Sequence, residues 1–109
     1  MDTALDLHSE MVKKGIMPTI FTYNTVIDGL CKHGRTQEAI NLFNEFLDKG
    51  FSPMRMTYNS LIFGYCKEGN FESALKLYRQ MMERDISPNV VTYTILIDAY
   101  CKEGCIGIA

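Results

Sequence analysis

The chain has 109 residues, is 47% apolar and carries a formal net charge of −2, enough for one small folded unit but not for a polyanion binder held by bulk positive charge. No apolar run approaches the roughly 18 residues that a membrane span needs. The first residues are acidic, with no arginine before Lys13, and read as neither a secretory signal nor a transit peptide.

Three near copies of one phrase dominate the chain: "TYNTVIDGLCKHG" from Thr22, "TYNSLIFGYCKEG" from Thr57 and "TYTILIDAYCKEG" from Thr92. The spacing is 35 residues, and Pro18, Pro53 and Pro88 keep the same phase, as do Ala4, Ala39 and Ala74. Such a period is the mark of a stacked-repeat architecture. In chain order, 1–19 reads as a second helix alone, 20–54 and 55–89 as complete repeats, and 90–109 as a first helix alone. Both ends fall within a unit, as in a fragment of a longer array or in an eroded one.

Each complete repeat predicts two helices. In the first, Tyr23, Val26, Ile27, Leu30 and Cys31 share one face at helical spacing, and Gly34 stops the helix. Ala39, Ile40, Leu42, Phe43, Phe46 and Leu47 give the second a broad stripe, closed by Gly50 and Pro53. The next repeat copies this with Tyr58, Leu61, Ile62, Tyr65 and Cys66, then Ala74, Leu75, Leu77, Tyr78, Met81 and Met82. Asn70 is a good N-cap for its second helix, whereas Arg35 is a poor one in the earlier copy. A lone hairpin cannot bury stripes this wide, so neighbours must stack. The expected fold is all-α, an α-solenoid of stacked antiparallel helical hairpins.

Removing the core stripe leaves Asn24, Asp28 and Lys32 on a second face, then Asn59, Phe63 and Lys67, then Thr94, Asp98 and Lys102. Stacking turns that face into a column with one small polar group and one lysine per unit, which suits a single-stranded nucleic acid. Simpler readings stand beside this one: lysines favour helix C-termini, and asparagines are often solvated first-turn residues. The tyrosines and cysteines read as core, and one cysteine per unit points to a reducing compartment rather than a disulfide framework. Cys101 and Cys105 make at most half a metal site, far in sequence from His8 and His33. No metal, cofactor or catalytic constellation is expected.

These phrases, with "GNFESALKLYRQMMERDISPN", resemble pentatricopeptide repeat (PPR) proteins of the subclass built only from 35-residue repeats. The tetratricopeptide repeat is the nearest rival, but its tryptophan and Leu-Gly signature are absent. The resemblance implies a single-stranded RNA-binding module, one nucleotide per repeat, with RNA running 5′ to 3′ from the N- to the C-terminal repeat. It implies base reading by Asn24 with Met54 and by Asn59 with Asn89, by Thr94 in the third unit, and by Thr19 as the last residue of the unit before. Phe21, Met56 and Val91 would sandwich the bases, and Lys32, Lys67 and Lys102 would contact phosphates. By the family rule, asparagine favours pyrimidines, an Asn–Asn pair leans to cytosine, and threonine favours purines; Met54 departs from the pattern. Mitochondrial or chloroplast RNA processing, stability, editing or translation is the implied setting. The competing expectations are a scaffold for protein partners and an array fragment without function. A monomer is expected, with exposed solenoid ends that can self-associate.

Overall fold

A computed structural model of the chain describes residues 3–16 and 19–103; Pro18, Gly104 and Cys105 lie outside them. Six helices follow in order: α1 (Thr3–Lys13), α2 (Ile20–Lys32), α3 (Thr36–Asp48), α4 (Arg55–Lys67), α5 (Phe71–Glu83) and α6 (Val90–Glu103). There is no strand among the described residues. α2 and α4 start 35 residues apart, and so do α3 and α5. α4 packs between α2 and α6, while α3 and α5 lie against α2 and α4 as the outer member of each hairpin. The result is an all-α solenoid of stacked hairpins with extents of 52 × 33 × 19 Å.

The stacking contact repeats with the sequence. His8 meets Tyr23 with ring centroids 5.1 Å apart, Phe43 meets Tyr58 at 5.5 Å, and Tyr78 meets Tyr93 at 6.1 Å. In each pair a second helix presents a ring to the next first helix. Tyr23 also packs edge-on to Phe46, and its hydroxyl donates to Glu45 Oε2 at 2.9 Å. Burial, followed by that carboxylate, pushes its phenol up to about 12. Cys31 is buried, and its thiol is raised to about 12 first by burial and then by Asp28 and Glu68. It is a core residue with no reactive thiolate. Cys66 is half-buried and Cys101 exposed, so the core expectation holds fully for the first copy alone.

Capping follows the side chains available. Thr19 accepts from the Thr22 N–H and Asn70 from the Ser73 N–H, at 3.3 and 3.2 Å. Arg35 does not cap α3 and instead pairs with Glu38. The free Thr36 N–H is taken at 3.2 Å by Glu68 of the following unit, a cap supplied across the stack. Gly64 lets α4 approach α2 closely: a Cβ there would lie 2.6 Å from Thr36 Oγ1 and 3.0 Å from Cys31 Cβ.

Candidate nucleic-acid interface

The first helices α2, α4 and α6 pack side by side, and most of the expected site residues line grooves along them. A groove of about 640 Å³ is lined by Phe21, Asn24, Asp28, Lys32, Met54 and Met56. A second, of about 360 Å³, is lined by Asp28, Lys32, Met56, Asn59, Phe63 and Val91. Each is lined by one asparagine and by apolar side chains from successive units, Phe21 and Met56 in the first, Met56 and Val91 in the second. Met56 serves both. Phe21 is 77% exposed and Met56 54%, so both faces are open for a flat ligand.

Asn24 differs from expectation. It is only 6% exposed although it lines the groove, and Thr57 of the next unit bonds to it. The Thr57 hydroxyl donates to Asn24 Oδ1 at 2.6 Å, and Asn24 Nδ2 makes only a weak 4.0 Å contact to Met54 Sδ. The second unit has a fuller network. Asn59 Nδ2 donates to Asn89 Oδ1 at 3.3 Å, and the Thr92 hydroxyl donates to Asn59 Oδ1 at 2.5 Å. Asn89 Oδ1 also accepts from the Thr92 N–H at 3.1 Å, while Thr92 Oγ1 accepts from the Asn89 N–H at 3.2 Å. This reciprocal pair starts α6 in the manner of a capping box. Asparagine at 24 thus stands beside residue 54, and asparagine at 59 beside residue 89. Thr94 is exposed, donates back to Val90 O at 2.6 Å, and lines a separate groove with Phe63, Lys67, Asp98 and Lys102. Thr19 is an exposed helix cap.

The lysines are not equivalent. Lys32 lies 3.0 Å from Asp28 and Lys102 3.2 Å from Asp98, each pair one helical turn apart. Lys67 has Phe63 at the corresponding place, its ring centroid 6.0 Å from the ammonium. Lys67 donates instead to the Lys32 carbonyl at 2.6 Å, at the C-terminus of α2. There it meets the negative end of the neighbouring helix. Sequence reading missed Thr57, Thr92 and Ser60, which donates to Asp28 at 2.9 Å. The signal was present in the recurring Thr-Tyr-Asn, but the threonine reads as part of the constant frame.

The PPR repeat family matches residues 54–102, and the PPR repeat matches residues 14–45 and 1–16. The chain belongs to the pentatricopeptide repeat family. A mitochondrial pentatricopeptide repeat-containing protein of Arabidopsis thaliana is 46% identical over 39 residues, 36% of this chain and 4% of that relative. The crystal structure of PPR10 from maize superposes with a TM-score of 0.77 at 30% identity, over 86% of this chain and 13% of that one. PPR10 in complex with an 18-nt psaJ RNA element gives a TM-score of 0.83 at 30% identity, over 92% and 15% of the respective chains. This PPR chain therefore spans a small fraction of the length of each of these relatives.

Proposed function

We propose that the chain is a single-stranded RNA-binding module in which each hairpin engages one nucleotide, RNA running 5′ to 3′ from the N- to the C-terminal repeat. The observation that carries this reading is the second groove, where Asn59 shares the lining with Met56 and Val91 and bonds to Asn89. Its polarity favours a particular base edge. Thr92 occupies Asn59 Oδ1, and Asn89 Oδ1 accepts from both Asn59 and Thr92. The second Asn59 N–H and the Asn89 amide N–H groups remain, so the pair offers donors. Cytosine presents two adjacent acceptors, N3 and O2, on its Watson–Crick edge, uracil alternates acceptor and donor, and purines present fewer accessible acceptors. Cytosine before uracil is the preference this edge supports. The first unit reads loosely, because Met54 supplies only a sulfur at 4.0 Å. Thr94 leans to purines, Thr19 would read with a preceding unit, and Lys32, Lys67 and Lys102 would meet phosphates.

Stacking is worth about 1–3 kcal/mol per base, and a neutral hydrogen bond about 0.5–1.5. Three bases then give an affinity on the order of 0.1 mM, so specificity in a cell requires more repeats. The reading is non-catalytic, and the mitochondrial relative favours an organellar setting in RNA processing, stability, editing or translation.

Titration of the ¹⁵N-labelled chain with hexamers of C, U or A tests the reading by NMR. Amide shifts should concentrate on α2, α4 and α6 near Phe21, Asn24, Met56, Asn59 and Val91, with C the tightest. Shifts spread over the outer helices α3 and α5, or no saturable change with any RNA, would return the lead to a protein-binding scaffold.

A further inference from the structure

Each reader asparagine meets residue 54 or 89 of its own unit through its N–H, but its oxygen is held by the next unit. Thr57 bonds to Asn24, and Thr92 to Asn59, each 33 residues further along the chain. Both threonines are buried, 1% and 0% exposed, yet each hydroxyl is aimed at a groove residue of the unit before it. We propose that Thr57 and Thr92 are positioning residues that set the hydrogen-bonding polarity of the preceding unit's reader. Base choice at one repeat then depends on a side chain belonging to the next. This rests on the base-reading function proposed above.

The physical basis is the two-sided amide. One edge accepts and the other donates, and a half-turn about the last side-chain torsion exchanges them. A hydroxyl donor fixed behind the amide holds the oxygen inward and leaves the N–H groups toward the groove. The Thr92 hydroxyl has two acceptors within reach, Asn59 Oδ1 at 2.5 Å and Asn89 Oδ1 at 3.1 Å, and the shorter contact is the one to Asn59. Removing the hydroxyl leaves the orientation held only by the longer N–H contact, to Asn89 at 3.3 Å for Asn59 and to Met54 at 4.0 Å for Asn24, and the amide turns its carbonyl to the base more readily. Valine has nearly the shape of threonine and keeps the packing, whereas serine keeps the hydroxyl.

The test uses the whole chain with Thr92→Val and Thr92→Ser, and with Thr57→Val because that residue is not part of the α6 cap. In the free proteins, the side-chain amide resonances of Asn59 should move in Thr92→Val and stay in place in Thr92→Ser, while those of Asn24 move in Thr57→Val. With RNA, the preference of Thr92→Val for the C hexamer over the A hexamer should fall about fivefold, the effect of one neutral hydrogen bond. Thr92→Ser should keep it. Circular dichroism confirms the fold of each variant. Unmoved amide resonances in both valine variants would overturn the relay, whatever RNA does. Equal C-over-A preference in wild type and Thr92→Val would also overturn it while leaving base reading intact. No preference in the wild type would instead remove base reading itself.

Discussion

Asp28 and Lys32 show how one side chain can mute another. The carboxylate sits 3.0 Å from the ammonium on an exposed helix face and also accepts from Ser60. An exposed pair of this kind adds little to stability, but its carboxylate opposes a phosphate arriving at Lys32. Asp28→Asn should therefore raise RNA affinity about two- to fivefold at low salt and steepen its decline with salt, by the counterion release that each freed lysine brings. Fluorescence anisotropy over a salt series measures both. The pairing was legible in the sequence from the one-turn spacing. The burial of Asn24 was not, because it depends on where Thr57 falls when α4 packs on α2, a contact between residues 33 apart.

Among the elements, the helix ends carry the repeat as clearly as the core does. Gly15, Gly50 and Asp85 share one phase, all with left-handed backbone at φ of 77°, 88° and 63°. At each, the residue's N–H bonds three residues back and the following N–H five residues back, as Gly50 to Leu47 and Phe51 to Phe46 show. Asp85 does this without glycine's freedom. Asp85→Gly should accordingly stabilise the chain by about 0.5–1 kcal/mol in urea unfolding, and no change in the midpoint would mean that the aspartate is unstrained. Helix positions were readable throughout because apolar spacing and glycine stops agree. The cross-unit cap of Thr36 by Glu68 was hidden, since a partner 32 residues away leaves no local signal. Nor did spacing reveal that Gly64 is a contact surface rather than a flexible point.

Over the whole molecule, the same residue type has different fates along the stack. Tyr23 and Tyr58 are fully buried, but Tyr93 is 47% exposed and Ile97 61%, because no described second helix covers α6. The expectation that all the tyrosines are core holds fully for Tyr23 and Tyr58, while Tyr65 and Tyr78 are half-buried and Tyr93 and Tyr100 exposed. Stability is centred on the α2–α5 block, and that block contains both groups with the largest shifts. Cys31 rises from 9.0 to about 12 and Tyr23 from 10.0 to about 12. Unfolding exposes groups that ionise earlier than they do in the fold, so stability is complete below about pH 9. It should fall as pH rises from there to about 12. Urea melts between pH 8 and 11 should show this loss, with a shallower fall in Tyr23→Phe.

Base reading by the second unit is tested most directly by fluorescence anisotropy of labelled C, U and A hexamers against the chain and its Asn59→Thr variant at one fixed salt. The wild type should prefer C over A by severalfold, and the variant should shift toward A. Equal binding of all three RNAs, unchanged by the substitution, would contradict base reading and leave the PPR fold without a base-specific role in this chain.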